Sequence, residues 1–360
     1  EVLKTAVVFG ADAVYIGGEA FGLRAKAKNF SKEEMAQGIA FAHEHGVKVY
    51  VTANILAHND DLAGAEEYFA ELRDMKPDSP DALIISDPGM YTIARKVWPE
   101  VEIHISTQAN AVSAADCRAW YALGAKRVVL ARELTLEEIK SIKAQIPADL
   151  ELECFIHGSM CISYSGRCLL SNYYTGRDAN RGACAQPCRW NYNNACPINF
   201  AEEKRPEDVL SLEEYKEGTY VMSSKDMCMI EHIPELMESG IDSFKIEGRM
   251  KAAYYVGAVT NAYRMALDAY AADPAHYKST IPGVLIGKNE SGVVYAYLCD
   301  HSGSQHTTGT TLVTGGHSFV CTVCQLNGFE DHHGGTATCM EPAKCAICRA
   351  DYGEKDPDNH

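Results

Sequence analysis

Five cysteines offer the clearest chemistry in this chain. They fall as Cys161-x6-Cys168-x15-Cys184-x3-Cys188, with Cys228 further on. Thiolates are soft metal ligands. Structural zinc favours two tight C-x2-C pairs, and this stretch has none. Longer, irregular spacings suit an iron–sulfur cluster, whose four thiolates come from separate points of a chain. The competing reading is a set of buried structural thiols, or disulfides of a secreted protein. Fourteen cysteines without a charged-then-apolar leader favour ligands and free thiols.

A second set of polar residues stands at the ends of apolar segments. Seven such segments recur, at 11–18, 47–54, 82–86, 102–107, 124–132, 150–156 and 241–246, each followed by a helical pattern. Ser31 with Glu34 and Thr135 with Glu138 form capping boxes, and Pro88 opens a helix that runs to Val97. Strands alternating with helices must pair in parallel, because each crossover consumes a helix. The chain opens at Glu1 in a helical pattern without an initiator Met, which predicts one strand lost ahead of it. The expected fold is therefore α/β, a TIM-like (β/α)8 barrel lacking its first strand. A doubly wound open sheet is the alternative, but no Gly-rich phosphate loop follows the first strand.

In a barrel, chemistry gathers where the strands end. Those ends carry Gly17 and Gly18 with Arg24 beyond, then Asn54, Asp87, Gln108 with Asn110, Arg132 with Glu133, His157, and Glu247 with Arg249. After barrel strand seven, counting the lost strand as the first, comes a Cys-rich insertion of about seventy residues. A loop of that length inside a compact domain is usually functional.

Composition narrows the partners. The 360 residues carry a formal charge of −16, which argues against a generally basic nucleic-acid binder. Between Ser159 and Arg189, however, Arg167, Arg177, Arg181 and Arg189 face one acid, Asp178. Tyr164, Tyr173, Tyr174, Trp190 and Tyr192 interleave with them, a pattern suited to stacking unpaired bases. No run of eighteen apolar residues predicts a membrane span, and the expected location is the cytoplasm.

The stretch Glu153-x-Phe155-x-x-Gly158-Ser159-Met160-Cys161-x4-Gly166-x-Cys168-x-Leu170-Ser171 resembles the signature of the collagenase-like peptidase family, the U32 group. Tyr15-Ile-Gly-Gly, His104-Ile-Ser-Thr-Gln-Ala-Asn110, Arg181-Gly-Ala-Cys-Ala-Gln-Pro-Cys-Arg189, Ser224-Lys-Asp-Met-Cys228 and Phe244-Lys-Ile-Glu-Gly-Arg249 resemble it too, from about residue 1 to about 290. The last two look most like family members that modify tRNA. That resemblance implies 5-hydroxylation of the wobble uridine with prephenate as co-substrate and a 4Fe–4S cluster. It implies Cys161, Cys168, Cys184 and Cys228 as ligands, with Cys188 competing for the third place. Glu153, His157 and Glu247 are then candidate catalytic groups. Arg24, Gln108, Asn110, Arg132, Lys245 and Arg249 are candidate substrate-binding groups, since a small dicarboxylate calls for guanidinium forks.

Two alternatives stay open. One is a collagenase-like peptidase, although Glu153, His157 and Ser159 show no order of nucleophile, base and orienter, and no His-Glu-x-x-His motif exists. The other is a non-catalytic iron–sulfur protein that binds RNA or serves assembly. The expected domains are a barrel over 1–272, including the Cys-rich insertion 159–220, then a linker or the start of a small β domain over 273–303. A tail follows over 304–360, where Cys321-x2-Cys324 and Cys345-x2-Cys348 have zinc-ribbon spacing. The tail also resembles small Cys/His repeats at the ends of some bacterial surface proteins.

Overall fold

The computed structural model describes residues 1–23, 29–190 and 223–274 with side chains. It also describes the backbone of strands within 199–211 and 284–352. The chain divides into two units, Glu1–Tyr277 and Lys278–His360.

The first unit alternates strands and helices as the apolar segments dictate. The parallel strands are β1 (Ala13–Gly17), β2 (Lys48–Ala53), β3 (Ala82–Ile85), β4 (Glu102–Ile105), β5 (Arg127–Val129) and β6 (Glu151–Gly158). Beyond a hairpin of β7 (Asn199–Glu202) and β8 (Arg205–Ser211) come β9 (Met227–Cys228) and β10 (Ser243–Ile246). The main sheet runs β1-β2-β3-β4-β5-β6-β10, with β9 antiparallel on β6. Sequential order without a reversal rules out the doubly wound alternative. The sheet is open between β1 and β10, each of which has one strand partner; among the described residues no strand lies between them.

The sheet is nonetheless curled. Arg127 on β5 stacks over the Tyr50 ring on β2, 5.5 Å from its centroid and across the two intervening strands. Lys245 on β10 lies 4.3 Å from the centroid of Tyr15 on β1, so a side chain spans the seam that backbone hydrogen bonds leave open. A cavity of about 1010 Å³ borders that seam.

Strand alternation sorts the side chains. Ile16, Val49, Val51, Leu83, Ile85, Ile103, Ile105, Val128, Leu130 and Leu152 face the surrounding helices and form the main apolar core. The opposite face carries Tyr15, Tyr50, His104, Arg127, Glu153 and Lys245, so the concave interior is lined with charge.

The helices are α1 (Val2–Val8), α2 (Lys32–Glu44), α3 (Ala65–Arg73), α4 (Pro88–Val97), α5 (Ala114–Ala122), α6 (Leu136–Lys143), α7 (Leu170–Thr175), α8 (Ile233–Met237) and α9 (Ala253–Ala272). Both predicted capping boxes form, at Ser31/Glu34 and Thr135/Glu138. Asp87 caps α4 through the Met90 amide (2.9 Å), so that strand-end carboxylate is a helix cap. Met227 and Cys228 pair with β6, and α8 begins at Ile233, with Pro234 in its first turn. Among the described residues no helix is long and apolar enough to cross a membrane.

The second unit is antiparallel. Val284–Lys288 pairs with Val294–Leu298, inside the expected 273–303 segment, and His306–Val313, Gly316–Cys321 and Asn327–Asp331 form a three-stranded sheet. Of the four expected zinc ligands, Cys321 ends a strand described only as backbone. Cys324, Cys345 and Cys348 lie outside the described residues.

Candidate active site at the mouth of the curled sheet

The described first part of the insertion, 159–190, lies as a cap on the carboxyl ends of the strands. At its start, Ser165 donates its amide to the Glu133 carboxylate after β5 (3.0 Å). Gly166 presses on the loop after β4: a Cβ there would sit 2.0 Å from the Gln108 carbonyl oxygen, and the residue has φ +71°. Only glycine satisfies both conditions. Further along, Arg181 forks onto Asp61 (2.8 and 2.6 Å), and the Leu56 amide after β2 donates to the Asn180 carbonyl (2.9 Å).

The cap carries the thiols. Cys161 is exposed, while Cys168, Cys184, Cys188 and Cys228 are half-buried. Cys117 and Cys154 sit in the core, where burial pushes their thiols up to about 11 and about 12. Burial also raises the Cys188 thiol, and so does negative charge at the neighbouring Cys161 and Cys184. The structure thus gathers these three, and the Gln186 amide donates to the Cys184 sulfur (3.3 Å). Cys228 comes from another direction, opposite His157 in the β6–β9 pair. Among the described residues no three His, Cys, Asp or Glu groups are placed to share one metal ion. A cluster takes one thiolate at each iron corner, and thiols spread over several loops are the donor set it needs.

Beneath the cap, four buried polar atoms have no hydrogen-bond partner among the described residues: Asn110 Nδ2, Arg132 Nε, Glu133 Oε2 and Ser165 Oγ. Asn110 has φ +57°, and Arg132 donates through Nη1 to the Ser159 carbonyl (3.0 Å). Buried polar atoms left unpaired are costly unless water or a ligand meets them.

Lower in the concave face, Glu153 is 3% exposed and accepts from Lys245 Nζ (2.7 Å), Ser243 Oγ (2.9 Å) and Arg127 Nη1 (3.0 Å). Burial works against its charge, but Lys245 and then Arg127 overcome it and hold the carboxyl at about 2. His157 is also buried, which lowers it to about 4 and keeps the imidazole neutral.

A family model for peptidase family U32 matches residues 1–308. The chain belongs to peptidase family U32. It is 46% identical over 284 residues to tRNA hydroxylation protein P1 of Bacillus subtilis, covering 77% of this chain and 63% of that protein. It is 37% identical over 268 residues to a 23S rRNA 5-hydroxycytidine synthase of Escherichia coli, covering 74% and 38%. An uncharacterized protease of Methanocaldococcus jannaschii is 45% identical over 271 residues, covering 74% and 62%. The chain thus spans less than two thirds of the length of each of these three relatives.

In this U32 chain the expected site residues divide between two levels. At the mouth stand Gln108, Asn110, Arg132, His157, Glu247 and Arg249. Glu247 accepts from the Arg249 amide (3.1 Å), and the Arg249 guanidinium donates to Asn29 Oδ1 (3.0 Å) across the seam. Glu153 and Lys245 lie deeper, as one ion pair. Arg24 is outside the described residues. Arg127 escaped sequence reasoning, although an arginine starting the run Arg127-Val-Val at an inward position was its signal. Ser165 had no such signal, because only tertiary contact reveals its partner.

Proposed function

We propose that this chain acts in hydroxylation of RNA, specifically 5-hydroxylation of the wobble uridine of tRNA with prephenate and a 4Fe–4S cluster. The observation that carries the reading is the cap itself: half-buried thiols seated over strand ends that hold unpaired donors. Cys161, Cys168, Cys228 and either Cys184 or Cys188 would hold the cluster, which supplies redox and Lewis-acid chemistry when bound. Asn110 Nδ2, Arg132 Nε and Ser165 Oγ would donate to a carboxylate of the co-substrate, and Glu133 Oε2 would accept from its hydroxyl. His157 lies near the mouth as a neutral imidazole, because burial disfavours its protonation. On the outer surface of the cap, Tyr164, Tyr173, Tyr174 and Trp190 are exposed, 83% so for Tyr173, and Arg167 stands among them. Such rings suit stacking of splayed bases.

The peptidase reading finds less support. The Ser159 hydroxyl donates to Asp226 (3.4 Å), and His157 Nδ1 faces the Tyr263 hydroxyl (3.4 Å), so serine and histidine are not arranged as nucleophile and base. Anaerobic purification with iron and sulfide analysis tests the cluster. Cys161→Ala or Cys168→Ala should abolish iron binding, and Cys117→Ala should not. Restoration of wobble 5-hydroxyuridine in a deletion strain tests the activity. Gelatin cleavage with unchanged tRNA would overturn it in favour of proteolysis.

A further inference from the structure

The cap exposes a row of aromatic rings. Helix α7 presents Tyr173 and Tyr174, both exposed. Their centroids are 5.3 Å apart at an interplanar angle of 82°, and the row continues from Tyr174 to the exposed Trp190 at 6.1 Å and 59°. Ile162, Tyr164 and Leu169, earlier in the cap, are exposed as well. Apolar surface gathered in this way marks contact with another molecule. The rings are held on a fixed platform. Ser171 of α7 is fully buried; its Oγ donates to the Arg177 carbonyl (2.7 Å) and accepts from the Ala185 amide (2.9 Å). Asn180 Nδ2 donates to the Cys168 carbonyl (3.0 Å), and Trp190 Nε1 to the Ala185 carbonyl (3.2 Å). A platform already ordered loses little entropy when it binds.

The charge of the cap suits a polyanion. The whole chain carries −16, yet the described cap sets Arg167, Arg177, Arg181 and Arg189 against Asp178. Arg181 is committed to Asp61, and Arg189 donates to the Met160 carbonyl (2.6 Å). Arg167 is exposed, and its guanidinium has no ion-pair partner among the described residues.

We infer that this face grips unpaired nucleotides flanking the target, stacking their bases on Tyr173, Tyr174 and Trp190 while Arg167 meets a phosphate. The inference rests on the reading of RNA as the substrate and adds how the chain selects it. A duplex hides its base faces and offers phosphates and sugars, so the rings find partners where the strand is unpaired. Every base has a π-face, so stacking tolerates any sequence. The grip therefore selects a loop by its shape and leaves base identity to the mouth beneath the cap. An acidic protein would satisfy Arg167 but would not give three adjacent rings planar partners.

The test uses the full chain and three labelled RNAs: a stem-loop, the same stem-loop with its loop bases exchanged, and a blunt duplex. Fluorescence anisotropy should give the two stem-loops affinities within about threefold of each other, and the duplex a weaker one. Tyr173→Ala and Tyr174→Ala should each weaken loop binding roughly tenfold, the loss of one stacked base, and leave duplex binding unchanged. Tyr173→Phe keeps the ring and should bind as the unaltered chain does. Arg167→Gln should reduce the slope of log K against log salt by about 0.7, the share of one phosphate on a single strand. Tyr173 and Arg167 are both exposed, so these variants leave the packed core untouched. Unchanged loop affinity in both alanine variants, or equal affinity of the unaltered chain for loop and duplex, would overturn the grip alone. Loss of self-association in Tyr173→Ala with unchanged RNA affinity would assign the face to a second copy of this chain instead. Failure of the unaltered chain to bind any of the three RNAs would overturn the RNA reading beneath it.

Discussion

At the scale of single residues, Glu153 shows how an expected catalytic carboxylate can be committed elsewhere. Lys245, Ser243 and Arg127 occupy both of its oxygens. A glutamate in the unfolded chain titrates near 4.5, and this one is held at about 2 in the fold. The unfolded chain therefore binds the proton more readily, so the stabilisation is complete above about pH 4.5 and is lost as pH falls toward 2. At about 1.4 kcal/mol per pKa unit this is on the order of 3 kcal/mol. Urea unfolding between pH 6 and pH 3 should show the loss. Glu153→Gln should flatten that slope and lower stability by roughly 3–5 kcal/mol at neutral pH, because Arg127 and Lys245 stay buried without their counter-charge. Arginine and lysine in short apolar strands were visible in the sequence, but their common partner was not, since β5, β6 and β10 meet only in the folded sheet.

At the scale of elements, the cap is the part that converts strand ends into a site. The sequence made helix starts legible where the signal is local: Ser31, Pro88 and Thr135 each act through a residue no more than three positions away. It left β9 hidden, because a two-residue strand has no period and exists only through its pairing with β6. The seat of the cap was equally hidden, since it depends on a backbone approach between Gly166 and Gln108 across 58 positions. Gly166→Ala should lift the cap edge without unfolding the sheet. A left-handed backbone costs a non-glycine residue about 1–2 kcal/mol, and the clash with the Gln108 carbonyl adds to it. The expected outcome is faster proteolytic cutting within 159–190 and loss of iron binding, with the far-ultraviolet spectrum retained. Unchanged cutting would mean that Arg181 and Asp61 hold the cap without that contact.

At the scale of the whole first unit, the open seam decides how the fold resists unfolding. A parallel strand with one neighbour leaves alternate amides without a ladder partner, and both β1 and β10 are in that position. Three side-chain bridges span the gap instead: Lys245 over Tyr15, Arg249 to Asn29, and Arg264 to Asp12 (3.0 Å), with α1 packed on α9 behind them. Arg264 to Asp12 is largely solvated, so it contributes little. Local opening should therefore begin at the seam rather than at β3 or β4, which are paired on both sides. Hydrogen exchange should find the amides of 13–17 and 243–246 at least roughly tenfold less protected than those of 82–85 and 102–105. Lys245→Met, which removes a bridge and leaves Glu153 to Arg127 and Ser243, should widen that difference. Equal protection across all four strands would show that the sheet opens as one unit and that the side-chain bridges substitute fully for the absent ladder.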